Sequence, residues 1–197
     1  MSLIHSLFFR ALLALTIAVG APAAMAGPTY HVSLDTTALA GSTGYLDLGL
    51  NGPVNASPTM ANISNFSGAF LQGTMYSGTA SGDVESGVFL ANGPEFNFFD
   101  QLVAFGGMFS FDVDIDFGNG TNGSLFSVAF VDDQFNYLGA AGNLIELNLV
   151  AGQPVQLLTL ETAFASVSEV PEPGEWLLLA TGLLLIVATR RIYSLNI

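Results

Sequence analysis

The sequence predicts an all-β protein: an antiparallel β-sandwich, with a jelly roll among its forms, carrying an N-terminal signal peptide and a single C-terminal transmembrane helix outside it. Three observations lead there. Apolar and polar residues alternate with period two along most of residues 27–169, the mark of strands with one buried face. Clusters of Gly and Asn interrupt these runs at intervals, as turns do. Two apolar runs with no polar face stand at the ends of the chain, each beside the only arginines it has.

The first of these runs, residues 11–20, follows His5 and Arg10 and precedes Ala21-Pro-Ala-Ala-Met-Ala26. A short positive region, an apolar stretch of about ten residues and an A-x-A site make a secretory signal peptide. It spans residues 1–26, with Ala24 and Ala26 forming the cleavage site and Gly27 the new N-terminus.

The body, residues 27–168, reads strand by strand. Residues 31–35 alternate. Phe109, Phe111, Val113, Ile115 and Phe117 alternate with Ser110, Asp112, Asp114 and Asp116; Phe126, Val128 and Phe130 follow, then Ile145, Leu147 and Leu149. Gly106-Gly107, between the runs 96–105 and 108–117, predicts a tight hairpin. The segment 118–123 predicts the next turn, residues 139–142 another, and 152–154 a last one before a final strand at 155–160. This gives nine or ten strands and no helix, a pattern suited to two packed antiparallel sheets.

Charge is sorted along the chain. Sixteen acidic residues face three arginines and no lysine, for a net charge of −13, and all sixteen lie between Asp35 and Glu175. Between residues 11 and 189 the one basic side chain is His31. Nucleic-acid binding, which needs a cationic footprint, is excluded. Recognition of phosphate by a lysine or an arginine fork is unsupported. With no cysteine, disulfides and thiolate metal sites are impossible. Positive residues flanking apolar runs stay on the cytoplasmic side of a membrane, so the arginines write the topology.

The second apolar run, residues 176–189, begins at Trp176 and ends at Arg190 and Arg191. As a helix its 14 residues span about 21 Å, against a bilayer core of about 30 Å. Trp176 suits one interface, and the arginines can snorkel to the other. Before it stands Pro171-Glu172-Pro173-Gly174, which keeps a helix from extending outward.

Pro171, Glu172 and Pro173, then a short apolar helix containing Gly182 and Leu183, then Arg190 and Arg191, resemble the PEP-CTERM sorting signal. On this resemblance residues 169–197 are the signal. It implies a Gram-negative bacterium and export, with anchoring in the inner membrane before processing and delivery to the outer surface or extracellular matrix afterwards. It implies an exosortase and the secretion machinery as partners, cleavage near Pro-Glu-Pro, and association with exopolysaccharide or biofilm. The tail after Arg191 departs from the family, whose signals usually end on the basic cluster. In the body, residues 30–41, 44–48 and 62–67 are similar to uncharacterised PEP-CTERM proteins, which implies no activity.

Candidate chemistry in the body is sparse. Asp112, Asp114 and Asp116 put three carboxylates on one strand face, about 7 Å apart, a hard-oxygen set that suits Ca2+, with loop 118–123 able to add carbonyls. Asp132 and Asp133 approach that loop only if the register permits. The EF-hand template fails, since Phe117 and Gly123 stand where Gly and Glu are needed. A solvated outer face is the simpler account of the three aspartates. Asp132, Asp133, Glu146 and Glu95 are the candidates for a glycosidase acid–base pair, and nothing singles out two of them. A Ser-His-Asp triad has only His31 to use, with Ser33 two residues on and on the same face, and no nucleophile-elbow motif accompanies it. Tyr30, Tyr45, Tyr76 and Tyr137 are candidates for stacking on sugars.

The expectation is a non-enzymatic, exported protein, structural or adhesive in exopolysaccharide. It has no catalytic residues and no cofactor, unless Ca2+ binds at the aspartate trio. A calcium-assisted carbohydrate-binding module and a secreted polysaccharide hydrolase are the alternatives.

Overall fold

The computed structural model describes residues 27–93 and 95–171, with Thr181 and Gly182. The signal peptide with Ala24 and Ala26 lies outside the described residues. So do Glu172, Pro173, Leu183, Arg190, Arg191 and, apart from Thr181 and Gly182, the segment 176–189. Among the described residues no helix is long and apolar enough to cross a membrane.

The body is all-β. Its strands are β1 (Thr29–Asp35), β2 (Thr43–Asn51), β3 (Thr59–Ser67), β4 (Phe70–Ser77), β5 (Ser81–Asp83) and β6 (Gly87–Ala91). They continue with β7 (Phe98–Ala104), β8 (Met108–Phe117), β9 (Ser124–Val131), β10 (Ile145–Leu149), β11 (Gln156–Leu160) and β12 (Ala165–Val170). Two six-stranded sheets result, sheet A in the order β12-β1-β8-β3-β6-β5 and sheet B in the order β11-β10-β9-β2-β7-β4. Every pairing is antiparallel.

The sheets pack over one core. Sheet A contributes Val32, Leu34, Ile63, Leu90, Phe109, Phe111, Val113 and Ile115, and sheet B contributes Leu46, Leu48, Leu50, Phe99, Val103, Phe126, Val128, Phe130, Ile145 and Leu147. Period-two alternation is what allows this: each strand offers one apolar face to the opposite sheet and one polar face to water. In β8, Phe109, Phe111, Val113 and Ile115 are buried while Asp114 and Asp116 are exposed, as the alternation predicts.

Strand pairing departs from the expected hairpins. Gly106-Gly107 turns the chain, but β7 lies in sheet B and β8 in sheet A, so the two do not pair. The segment 118–123 likewise carries the chain from sheet A back to sheet B. Both links cross between layers because each strand's apolar face is wanted on the shared core, not beside its neighbour in sequence. The buried Thr36, just past β1, holds the first crossing. Its Oγ1 donates to the Gly107 carbonyl at 2.7 Å and accepts from the Gly106 and Gly107 amides at 2.9 and 3.2 Å. Gly106 has φ +127°, which favours glycine.

Nor is the strand at Gln156–Leu160 the last; β12 follows it and completes sheet A against β1. The strand total is twelve, since short or weakly apolar segments such as β5 become strands by docking on a neighbour. Sheet A holds β1-β8-β3-β6 in succession and sheet B holds β2-β7-β4, so the nested pairs β1·β8, β2·β7 and β3·β6 alternate between layers.

Candidate functional site

The outer face of sheet A is lined with hydroxyls. One row across it runs Ser166 (β12), Ser33 (β1), Ser110 (β8) and Ser67 (β3). The next runs Ser168, His31, Asp112 and Ser64. These residues lie far apart in sequence and meet only through strand register.

His31 is the centre of that face. Its Nδ1 lies 2.6 Å from Asp112 Oδ1, and its Nε2 lies 3.3 Å from Ser33 Oγ. Asp112 can only accept when ionised, so it makes Nδ1 the protonated nitrogen. In the neutral ring Nε2 is then the acceptor for the Ser33 hydroxyl. The second carboxylate oxygen of Asp112 accepts from Asn65 Nδ2 at 2.7 Å. Asn65 sits at a break in register between Ser64 and Ser67, with φ +56°, a left-handed conformation that asparagine tolerates better than most residues. Partial burial works to raise the Asp112 carboxyl. The hydrogen bonds from Asn65 and His31 and the adjacent imidazole outweigh it and hold the group below the usual carboxylate range. This is the one contact between a basic and an acidic side chain among the described residues, and both partners remain partly accessible, at 44% and 23% side-chain exposure.

The outer face of sheet B carries a second cluster. Asp47 (β2) lies directly opposite Asp100 (β7), and Ala129 (β9) and Met75 (β4) complete their row. Asp100 is fully buried, and no donor from another residue type reaches either of its carboxylate oxygens. Burial pushes its carboxyl up to about 8, and the hydrogen bond and charge of Asp47 push the same way. Burial raises Asp47 too, while its bond to Asp100 works against that. Two facing carboxylates with no cation between them cannot both ionise cheaply, so they share a proton. In the adjoining row Val131 lies between Tyr45 and Tyr137.

No known protein family matches the chain, and neither does any curated protein or solved structure.

The structure separates several residues that the sequence suggested together. Asp112, Asp114 and Asp116 do share the outer face of β8, but Asp112 is engaged by His31 and Asn65, and Thr29 Oγ1 donates to Asp114 at 3.5 Å. Among the described residues no group of three or more His, Asp or Glu side chains is arranged to hold a metal ion. Asp132 does not approach loop 118–123: it stands past the far end of β9, closing its own turn with the amides of Gln134 and Asn136. Glu146 accepts from Asn143 and Thr159 at 2.8 and 2.7 Å. Tyr30 packs against the core, and Tyr76 lies on the edge strand β4. Tyr45 and Tyr137 share one row, on either side of Val131. A small open cleft of about 140 Å³ is lined by Pro53, Val54, Ala56, Pro58, Asn92 and Gly93, with no ionisable side chain. Drug-sized ligands usually occupy pockets of about 300 Å³ or more.

Sequence reasoning missed Asp47 and Asp100. Each occupies an outward position in its strand, which reads as solvated. The available signal was that Asp100 is the one charge inside the apolar run 98–103.

Proposed function

We propose that the chain is an exported cell-surface or matrix protein, sorted by its PEP-CTERM signal, whose sandwich is structural or adhesive in exopolysaccharide. The sandwich is of jelly-roll type on this reading, which the nested pairs β1·β8, β2·β7 and β3·β6 support. An exosortase cuts near Pro171-Glu172-Pro173 after residues 176–189 have held the chain at the inner membrane. The fold is compatible with such a cut, since β12 ends at Val170 and Pro171 is exposed just beyond it.

The observation that carries polymer contact is that Tyr45 and Tyr137 stand in one row of sheet B, on either side of Val131, with Tyr45 half-buried and Tyr137 exposed. Rings spaced along a sheet can stack on successive sugar units, while surrounding hydroxyls and amides make hydrogen bonds. No lysine or arginine stands in the body to bind an acidic polymer by charge, so a neutral glycan fits this face better. Titration calorimetry of the full chain against purified neutral exopolysaccharide tests this. Tyr45→Ala and Tyr137→Ala should each weaken binding about tenfold, near the usual worth of an aromatic contact. Undiminished affinity in both variants would remove this face from the account.

A further inference from the structure

We propose that Ser33, His31 and Asp112 form a serine acyl-transfer site on the outer face of sheet A, acting on carboxylate esters borne by an extended polymer. This goes beyond the matrix role, and beyond the expectation of a non-enzymatic body. The atoms are connected in the order such a site requires: Ser33 Oγ to His31 Nε2, and His31 Nδ1 to Asp112 Oδ1. A 3.3 Å nucleophile–base contact is ordinary in a site without substrate. Asn65 fixes the carboxylate from its far side, so the acid that orients the imidazole is itself oriented. All three members sit on adjacent paired strands, which hold geometry better than loops do.

Ser33 also has company suited to a developing oxyanion. Ser110 and Ser166 are its direct cross-strand neighbours on the same face, with Cβ atoms about 5 Å away. Hydroxyl side chains can serve as oxyanion donors. His31 and Asp112 are partly accessible and no described pocket encloses them, so the site suits an ester presented on a long chain more than a small molecule that needs enclosure.

The chemistry balances with water as the co-reactant. Ser33 Oγ attacks the acyl carbon, and its proton passes to His31 Nε2. The bond from the acyl carbon to the alcohol oxygen breaks, and that alcohol leaves with the proton from Nε2. Water then attacks the acyl-Ser33 ester, giving one proton to Nε2. Ser33 Oγ leaves and takes that proton back, and the carboxylic acid is released. Ser33 and His31 are the catalytic residues; Asp112 and Asn65 position them.

The test is labelling of the full chain with a fluorophosphonate probe, located by mass spectrometry, alongside hydrolysis of p-nitrophenyl acetate. The expected result is an adduct on Ser33. Hydrolysis should fall about a hundredfold in Ser33→Ala and in His31→Ala, the scale of general-base catalysis. Ser33→Ala removes one half-buried hydroxyl and should leave the melting temperature unchanged, so a loss there is not a loss of fold. Asp112→Asn should slow labelling and alter its pH profile. The titratable groups facing His31 are Asp112 and Asp114 on β8, while β12 presents Ser166 and Ser168, and β3 presents Asn62 and Ser64. Absence of an adduct on Ser33, or equal hydrolysis by Ser33→Ala, would overturn the proposal. Neither result touches the glycan titration, which concerns the other sheet.

Discussion

Replacing Asp100 by asparagine examines the buried acid pair in sheet B. In the folded chain the Asp100 carboxyl is raised from an ordinary 3.8 to about 8. A raised acid favours the fold only while it keeps its proton. Its benefit, relative to the ionised state, is complete below about pH 4, where folded and unfolded chains are both protonated. Above that the unfolded chain releases the proton and the folded chain does not, so stability falls as pH rises. The loss is complete once pH passes about 8. Each pK unit corresponds to about 1.4 kcal/mol, so a shift of roughly four units amounts to on the order of 5 kcal/mol between the ends of that window. Asparagine resembles the protonated acid in shape and can donate its amide to Asp47. Asp100→Asn should therefore match the parent within about 1 kcal/mol near pH 4.5 and exceed it by several kcal/mol at pH 9.

The assay is urea unfolding of both full chains from pH 4.5 to 9, followed by far-ultraviolet circular dichroism. Apart from Asp47, the partner of Asp100, which burial also raises, the shifted carboxylates act below this range. Asp35, Asp83 and Asp132 are held below the usual carboxylate range, respectively by the Thr37 amide, the Ser86 amide and the Asn136 side chain, and their effect appears only in acid. General repulsion among the carboxylates is nearly common to both chains and is screened by salt. Parallel stability profiles for parent and variant across the window would refute the shared proton.

Two further outcomes follow from other parts of the molecule. Thr36→Val removes the buried hydroxyl that links Gly106 and Gly107 to the end of β1, while the amides of these two exposed glycines can turn to water; urea unfolding should show a loss of about 1–2 kcal/mol. Replacing Pro171, Glu172 and Pro173 by alanines should leave the chain in the membrane fraction with its C-terminus intact, as read by immunoblotting; release of a shortened product at the normal rate would count against the sorting signal.

The faces of the strands were legible and their partners were not. Alternation in β8 placed Phe109, Phe111, Val113 and Ile115 inward because side chains on a strand point to opposite sides in turn, whatever the strand pairs with. Gly106-Gly107 marked a reversal for an equally local reason, a glycine at positive φ. Whether the reversed strand stays in the sheet or crosses to the other depends on where distant apolar faces find cover, and there the hairpin expectation failed. The His31–Asp112 contact joins residues 81 positions apart, and no spacing rule reaches that far.

By itself, then, the sequence determined the all-β class, the inward face of each strongly alternating strand, and a body whose one basic side chain is His31. These follow from backbone geometry and composition, which act over a few residues. Tertiary structure alone decided that this histidine lies between Ser33 and Asp112, that Tyr45 and Tyr137 share a face, and that Asp47 meets Asp100 out of water. Register between strands sets all three, and register is chosen by the packing of the whole core.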